Sequence, residues 1–90
     1  MKFNSGLITM TRGIVDLVAE DENFAKFVHD SLVRHIAGDW GDLDPEDIKE
    51  NEFSLTNGFR LFSAYSGDPK IWIITEADRS ATTILFPDEY

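Results

Sequence analysis

The sequence predicts an α+β fold, with helices packed on one face of an antiparallel sheet, and three observations predict it. Between residues 12 and 57 apolar side chains recur three and four apart, the period of a helix with one buried stripe. From Phe59 onward the pattern changes to period two and is rich in β-branched and aromatic residues. The segments GDP (67–69) and EADR (76–79), which separate the extended runs, are short enough for antiparallel hairpins.

GLITM, residues 6–10, is a short apolar run expected as a strand. Thr11 then offers an N-cap to a brief helix with Ile14, Leu17 and Val18 on one face, weakened by Gly13. Asp21, Glu22 and Asn23 put acids and a capping side chain ahead of a second helix, whose Phe24, Phe27, Val28, Leu32 and Ile36 form an apolar stripe. On its other face Lys26, Asp30 and Arg34 stand four apart, each pair worth roughly 0.2 to 0.5 kcal/mol. Gly38 is expected to close this helix. Asp44 followed by Pro45, with Glu46 and Asp47 behind them, spells the start of a third helix, and Asn57 with Gly58 its end. The runs FRLFSAYS, KIWIITE and SATTILFP then form a three-stranded meander. Residues 71–74 are apolar on both faces, as a central strand would be, so Trp72 is expected in the core.

Ninety residues suffice for one core and not two, so residues 1–90 are expected as a single domain. There is no cysteine, which excludes disulfides, thiolate metal sites and a cysteine nucleophile and suits a reducing cytoplasm. The first ten residues lack the apolar core of a signal peptide, and no stretch reaches the roughly 20 apolar residues of a membrane span. A cytoplasmic protein is therefore expected. The net charge of −9 is concentrated: residues 39–52 hold seven acids and Lys49, which accounts for six of the nine excess charges. Direct binding to phosphate backbones is disfavoured, whereas a protein partner with a basic surface suits this charge.

Candidate sites centre on HIAGDWGDLDPEDIKENE, residues 35–52. His35, Asp39 and Asp42 could in principle ligate a metal, but Gly38 breaks the helix between them, and His35 suits a helix C-terminus on its own. The aspartates also lack the twelve-residue calcium-loop pattern, so no metal and no cofactor are expected. Trp40, between two glycines and two aspartates, is either an anchor plugging the loop onto the core or an exposed hot spot ringed by acids. The candidate partner-binding set is Asp39, Trp40, Asp42, Asp44, Glu46, Asp47 and Glu50, with Trp40 expected as the plug and the carboxylates as the recognition surface. In the turn ITEADRS, Glu76, Asp78 and Arg79 crowd together, and Arg60 could join them across the sheet as an acid or base with an arginine. Turn chemistry accounts for the same residues. No phosphate-binding loop, nucleophile elbow, HExxH or dinucleotide fingerprint occurs.

HIAGDWGDL at 35–43, NEFSLTNGFRLFSAY at 51–65 and KIWIITEADRSATTILFPDEY at 70–90 resemble a family of small bacterial proteins carried on plasmids and integrative elements and described only as plasmid-related. The likeness covers roughly the last 55 residues. In the front third, Arg12 stands where the family pattern would place proline in a Thr-Pro-Gly turn. The resemblance brings no catalytic residues with it. By analogy it implies a non-enzymatic inhibitor of host defence, anti-restriction or anti-CRISPR in type, acting as a DNA mimic or by plugging a protein surface. The alternatives from other classes are a compact ribonuclease or toxin-type enzyme built on Glu76, Arg60, Arg79 and a histidine, and a regulatory or scaffolding protein dimerising through SATTILFP if that strand is an edge.

Overall fold

Helix boundaries follow the side chains that can satisfy free backbone groups. In a computed structural model, which describes residues 2–90, the order is β1 (Leu7–Met10), α1 (Arg12–Glu20), α2 (Glu22–Ile36), α3 (Pro45–Asn57), β2 (Leu61–Tyr65), β3 (Ile71–Thr75) and β4 (Ala81–Leu85), closed by a 3-10 turn at Pro87–Glu89. Asp21 caps α2 by accepting from the N–H groups of Asn23 (2.9 Å) and Phe24 (3.1 Å). Asp44 caps α3 through the N–H of Asp47 at 2.9 Å, with Pro45 at the first helical position. The last turn of α3 ends at Gly58 in the left-handed conformation (φ 75°).

Helix α1 begins at Arg12 with Thr11 at its N-cap, but the Thr11 side chain does not bond back into the helix. Its hydroxyl donates instead to Glu89, whose second carboxylate oxygen accepts from the N–H of Gly13 at 3.1 Å. Gly13 is what permits this approach, because a Cβ there would lie 2.7 Å from the Glu89 carboxylate and 3.0 Å from the Phe86 ring. The residue that weakens the helix thus admits its distant cap.

The hairpins form as expected, with Leu61 opposite Thr75 and Ile73 opposite Ile84. The sheet is nevertheless not a three-stranded antiparallel meander. It is four-stranded and mixed, in the order β1-β4-β3-β2, with β1 parallel to β4 and Leu7 registered on Ala81. β1 takes up backbone groups of β4 that would otherwise be unpaired. This places β4 inside the sheet, so SATTILFP is not the free edge that the dimer reading needed.

α1 and α2 cover one face of the sheet and enclose Ile14, Phe24, Val28, Tyr65, Ile71, Ile73 and Ile84. Burying each of the aliphatic and Phe side chains contributes about 1.5 to 3 kcal/mol. α3 does not join them on that face; it packs along β2. Trp72 corrects the sequence reading for the same reason: strand alternation turns it away from α1 and α2, and it lies half-buried between Phe62 (centroids 5.1 Å) and Tyr90 (6.0 Å).

The outward edge of β2 is occupied. Asn51 of α3 accepts from the N–H of Phe62 at 3.1 Å and donates to its carbonyl, so one amide side chain stands in for a neighbouring strand. Two residues on, Ala64 donates to the Trp40 carbonyl (3.3 Å) and accepts from the N–H of Asp42 (2.8 Å), a short parallel bridge. Gly41 makes that bridge possible: its φ is 73°, and a Cβ would collide with the Ala64 carbonyl. Among the described residues, no helix is long and apolar enough to cross a membrane.

Candidate functional site

The buried line of α2 runs Phe24, Val28, Ser31, His35, spaced four, three and four, while Leu32 and Ile36 are only half-buried. His35 is therefore not a cation serving the helix C-terminus; it is fully enclosed. Nδ1 lies 2.6 Å from the Ser63 hydroxyl and Nε2 2.8 Å from that of Thr75. Thr75 continues to Thr82 (2.7 Å), whose hydroxyl donates to the Ser5 carbonyl (2.7 Å). That carbonyl fixes the direction of the chain. Thr82 spends its proton on Ser5, Thr75 donates to Thr82, and Nε2–H of His35 donates to Thr75, which leaves Nδ1 to accept from Ser63. Burial drives the imidazole pKa down to about 4, in keeping with this neutral tautomer.

Trp40 sits directly on this histidine and is 4% exposed. Its ring meets His35 edge-on at 5.6 Å and stacks over Phe3 at 6.2 Å, and its indole N–H donates to Glu52 at 3.0 Å. It is the plug and not an exposed hot spot, so it leaves the set of residues able to touch a partner. The Tyr65 hydroxyl, pushed up to about 12 by burial, donates to the Asp39 carbonyl (2.7 Å) and ties the same loop to the sheet.

The seven carboxylates divide by what they hold. Asp39 takes the Arg34 guanidinium through two bonds of 2.7 and 3.2 Å, which draws Arg34 away from Asp30 and leaves Lys26 alone to pair with it (3.0 Å). That guanidinium holds the Asp39 carboxyl below its usual range. Hydrogen bonding from Ser66 does the same for Asp42, which accepts the Ser66 N–H at 2.6 Å. Asp44 is the α3 cap, and Glu52 serves the Trp40 indole. Glu46, Asp47 and Glu50 remain. Their side chains make no hydrogen bond or ion pair among the described residues.

Asp47 and Glu50 line a groove of about 420 Å³ between α3 and the start of β2, and with Glu46 they line an adjoining hollow of about 470 Å³ on α3. The wall of the groove carries Phe53 (59% exposed) and Phe59 (53% exposed), stacked at 5.9 Å with an interplanar angle of 11°. Sequence reasoning missed both rings. The available signal was Phe53 three positions after Glu50, an apolar residue on the acidic face of α3 and not on a buried stripe.

In the turn constellation Arg79 and Asp78 are taken up by backbone groups and Arg60 by Tyr90. Arg79, at φ 62°, spends its guanidinium on the carbonyls of Phe59 (2.7 Å), Glu76 (3.1 Å), Ala77 (3.2 Å) and Ser54 (3.0 Å). Asp78 accepts the N–H of Ser80, and Arg60 donates to the Tyr90 hydroxyl at 2.6 Å. His35 is sealed beneath Trp40, with both nitrogens engaged. Comparison with family models, with curated proteins and with solved structures returns no match to this chain.

Proposed function

We propose that this protein is a non-enzymatic acidic binding protein of a mobile genetic element. It occupies the basic surface of a host complex that handles nucleic acid, as an anti-restriction or anti-CRISPR inhibitor does. One observation carries the reading: among the described residues Glu46, Asp47 and Glu50 have no side-chain partner, and they stand together on one helix beside two exposed aromatic rings. Glu46 and Asp47 also suit the first turn of α3, but unlike the carboxylates that cap the helix or brace the loop, none of the three has a side-chain partner among the described residues. A net charge of −9 supports a partner of opposite sign, since it steers encounter with a basic groove and repels phosphate backbones. Asp39, Asp42 and Asp44 support the surface from behind by fixing the loop and the helix start. Recognition is thereby narrowed to half of the carboxylates first considered as contacts.

The test is transformation of a plasmid into a bacterial host with an active restriction or CRISPR system, with the protein expressed beforehand. Wild type should raise transformation, and a Glu46→Gln/Asp47→Asn/Glu50→Lys variant should not, at equal abundance and with a cooperative melt only a few degrees lower. In parallel, wild type should displace labelled duplex from the purified nuclease complex in a salt-sensitive manner. A variant that protects the plasmid as well as wild type would refute the proposal, and so would a wild type inactive against every system tried.

A further inference from the structure

We infer that the groove between α3 and β2 docks an arginine side chain of the basic partner, stacked on Phe53 or Phe59 and paired with Asp47 or Glu50. This rests on the reading that the α3 surface binds a basic protein, and it names the chemistry at its centre. Two phenylalanines more than half exposed add little to the core, and their near-parallel stacking presents flat ring faces at the surface. Their backbone is also held. The Arg79 guanidinium bonds the carbonyls of Phe59 and Ser54, and Gly58 between them closes the helix, so the rings are positioned before anything binds.

A guanidinium matches this arrangement in two ways. It is weakly hydrated and planar, so it stacks on aromatic faces, and its fork meets a carboxylate with two parallel bonds. A lysine ammonium is compact and strongly hydrated and gains less from a ring beside an acid. Two bases border the groove: Arg60 is tied to Tyr90, by its hydroxyl and over its ring at 5.5 Å, and Lys49 lies on the Glu46 side. Arg79 is likewise spent on the Phe59 and Ser54 carbonyls, and none of these bases pairs with Glu46, Asp47 or Glu50 among the described residues, so the three carboxylates stay open to a cation from a partner.

The experiment uses two flexible peptides of equal length and charge, four arginines or four lysines spaced by glycine and serine, titrated against the whole protein by calorimetry. The arginine peptide should bind about three- to tenfold more tightly. Phe53→Ser/Phe59→Ser should bring the two peptides to parity, and Phe53→Leu, which keeps apolar bulk but removes the ring face, should narrow the gap. Asp47→Asn/Glu50→Gln should weaken both. Equal binding of the peptides by wild type, or a preference surviving in the double Phe variant, overturns the arginine site while leaving the acidic reading in place. Binding of neither peptide overturns both. Self-association of wild type, abolished by the Phe substitutions, would instead make the groove an interface between copies and overturn the inference.

Discussion

Lowering the pH from 7 to 4 is expected to remove about 3 kcal/mol of folding stability through one side chain, His35. Burial takes its pKa from 6.5 down to about 4 in the folded chain, and a gap of that size corresponds to about 3 kcal/mol. Below pH 6.5 the unfolded chain takes up a proton on this imidazole while the folded chain refuses it, so the unfolded state gains. The contribution is complete above about 6.5, shrinks as pH falls, and is gone near 4, where both states are protonated. In the fold a proton would have to enter at Nδ1, against the hydrogen bond that Ser63 donates there. Only near and below pH 4 should the depressed carboxyls of Asp39, Asp42, Asp78 and Glu89 add a second loss. Urea unfolding at half-unit steps of pH measures the first window directly, and in melting temperature it amounts to about 12 to 24 °C for a domain of this size. Imidazole resonances followed in the folded protein supply an independent readout that needs no variant. Stability that stays flat from pH 6.5 to 5, or His35 resonances that titrate near 6.5 in an intact fold, would refute the reasoning.

Trp40→Ala is expected to cost about 3 to 5 kcal/mol, because it opens a void against Phe3 and His35; a chemical denaturation midpoint within experimental error of wild type would show that the ring is not a plug. Asn51→Asp keeps the acceptor for the Phe62 N–H but sets a carboxylate against the Phe62 carbonyl, so a loss of about 1 to 3 kcal/mol and new self-association through β2 are expected. Hydrogen exchange at the Phe62 amide should quicken in that variant, and unaltered protection would mean that another group covers the edge.

What could be read from the sequence was whatever depends on neighbours in the chain. Asp21, Asp44, Pro45 and Gly58 act within a few residues of themselves, and the three β-runs are joined by short loops, so caps and the two hairpins were legible. The position of β1 was not, since parallel pairing with β4 is decided by how the intervening helices return the chain and not by any local pattern. Trp72 was misplaced because an apolar strand does not reveal which of its faces the helices leave open. His35 was read from the helix end on which it sits, although its place in the 24, 28, 31, 35 spacing already pointed inward. The acidic run looked uniform because sequence counts charges without saying which are already bonded. Asp39 and Glu50 differ only in that Arg34 stands beside the first.

The parallel pairing of β1 also sets a clock on synthesis. Thr9 and its partner Thr83 are 74 residues apart, so at elongation rates of about 5 to 20 residues per second roughly 4 to 15 s pass between the making of one strand and of the other. During that interval Leu7, Ile8 and Met10 have no strand to lie against, and α1 lacks the Glu89 carboxylate that receives its first turn. The nascent chain is thus obliged to carry an unpaired apolar strand out of the ribosome, open to chaperones, while α2 is already free to form. A fragment comprising residues 1–80 should form helices and the β2–β3 hairpin but no closed sheet, and residues 81–90, which bring β4 and Glu89, should be what completes the step to the native state.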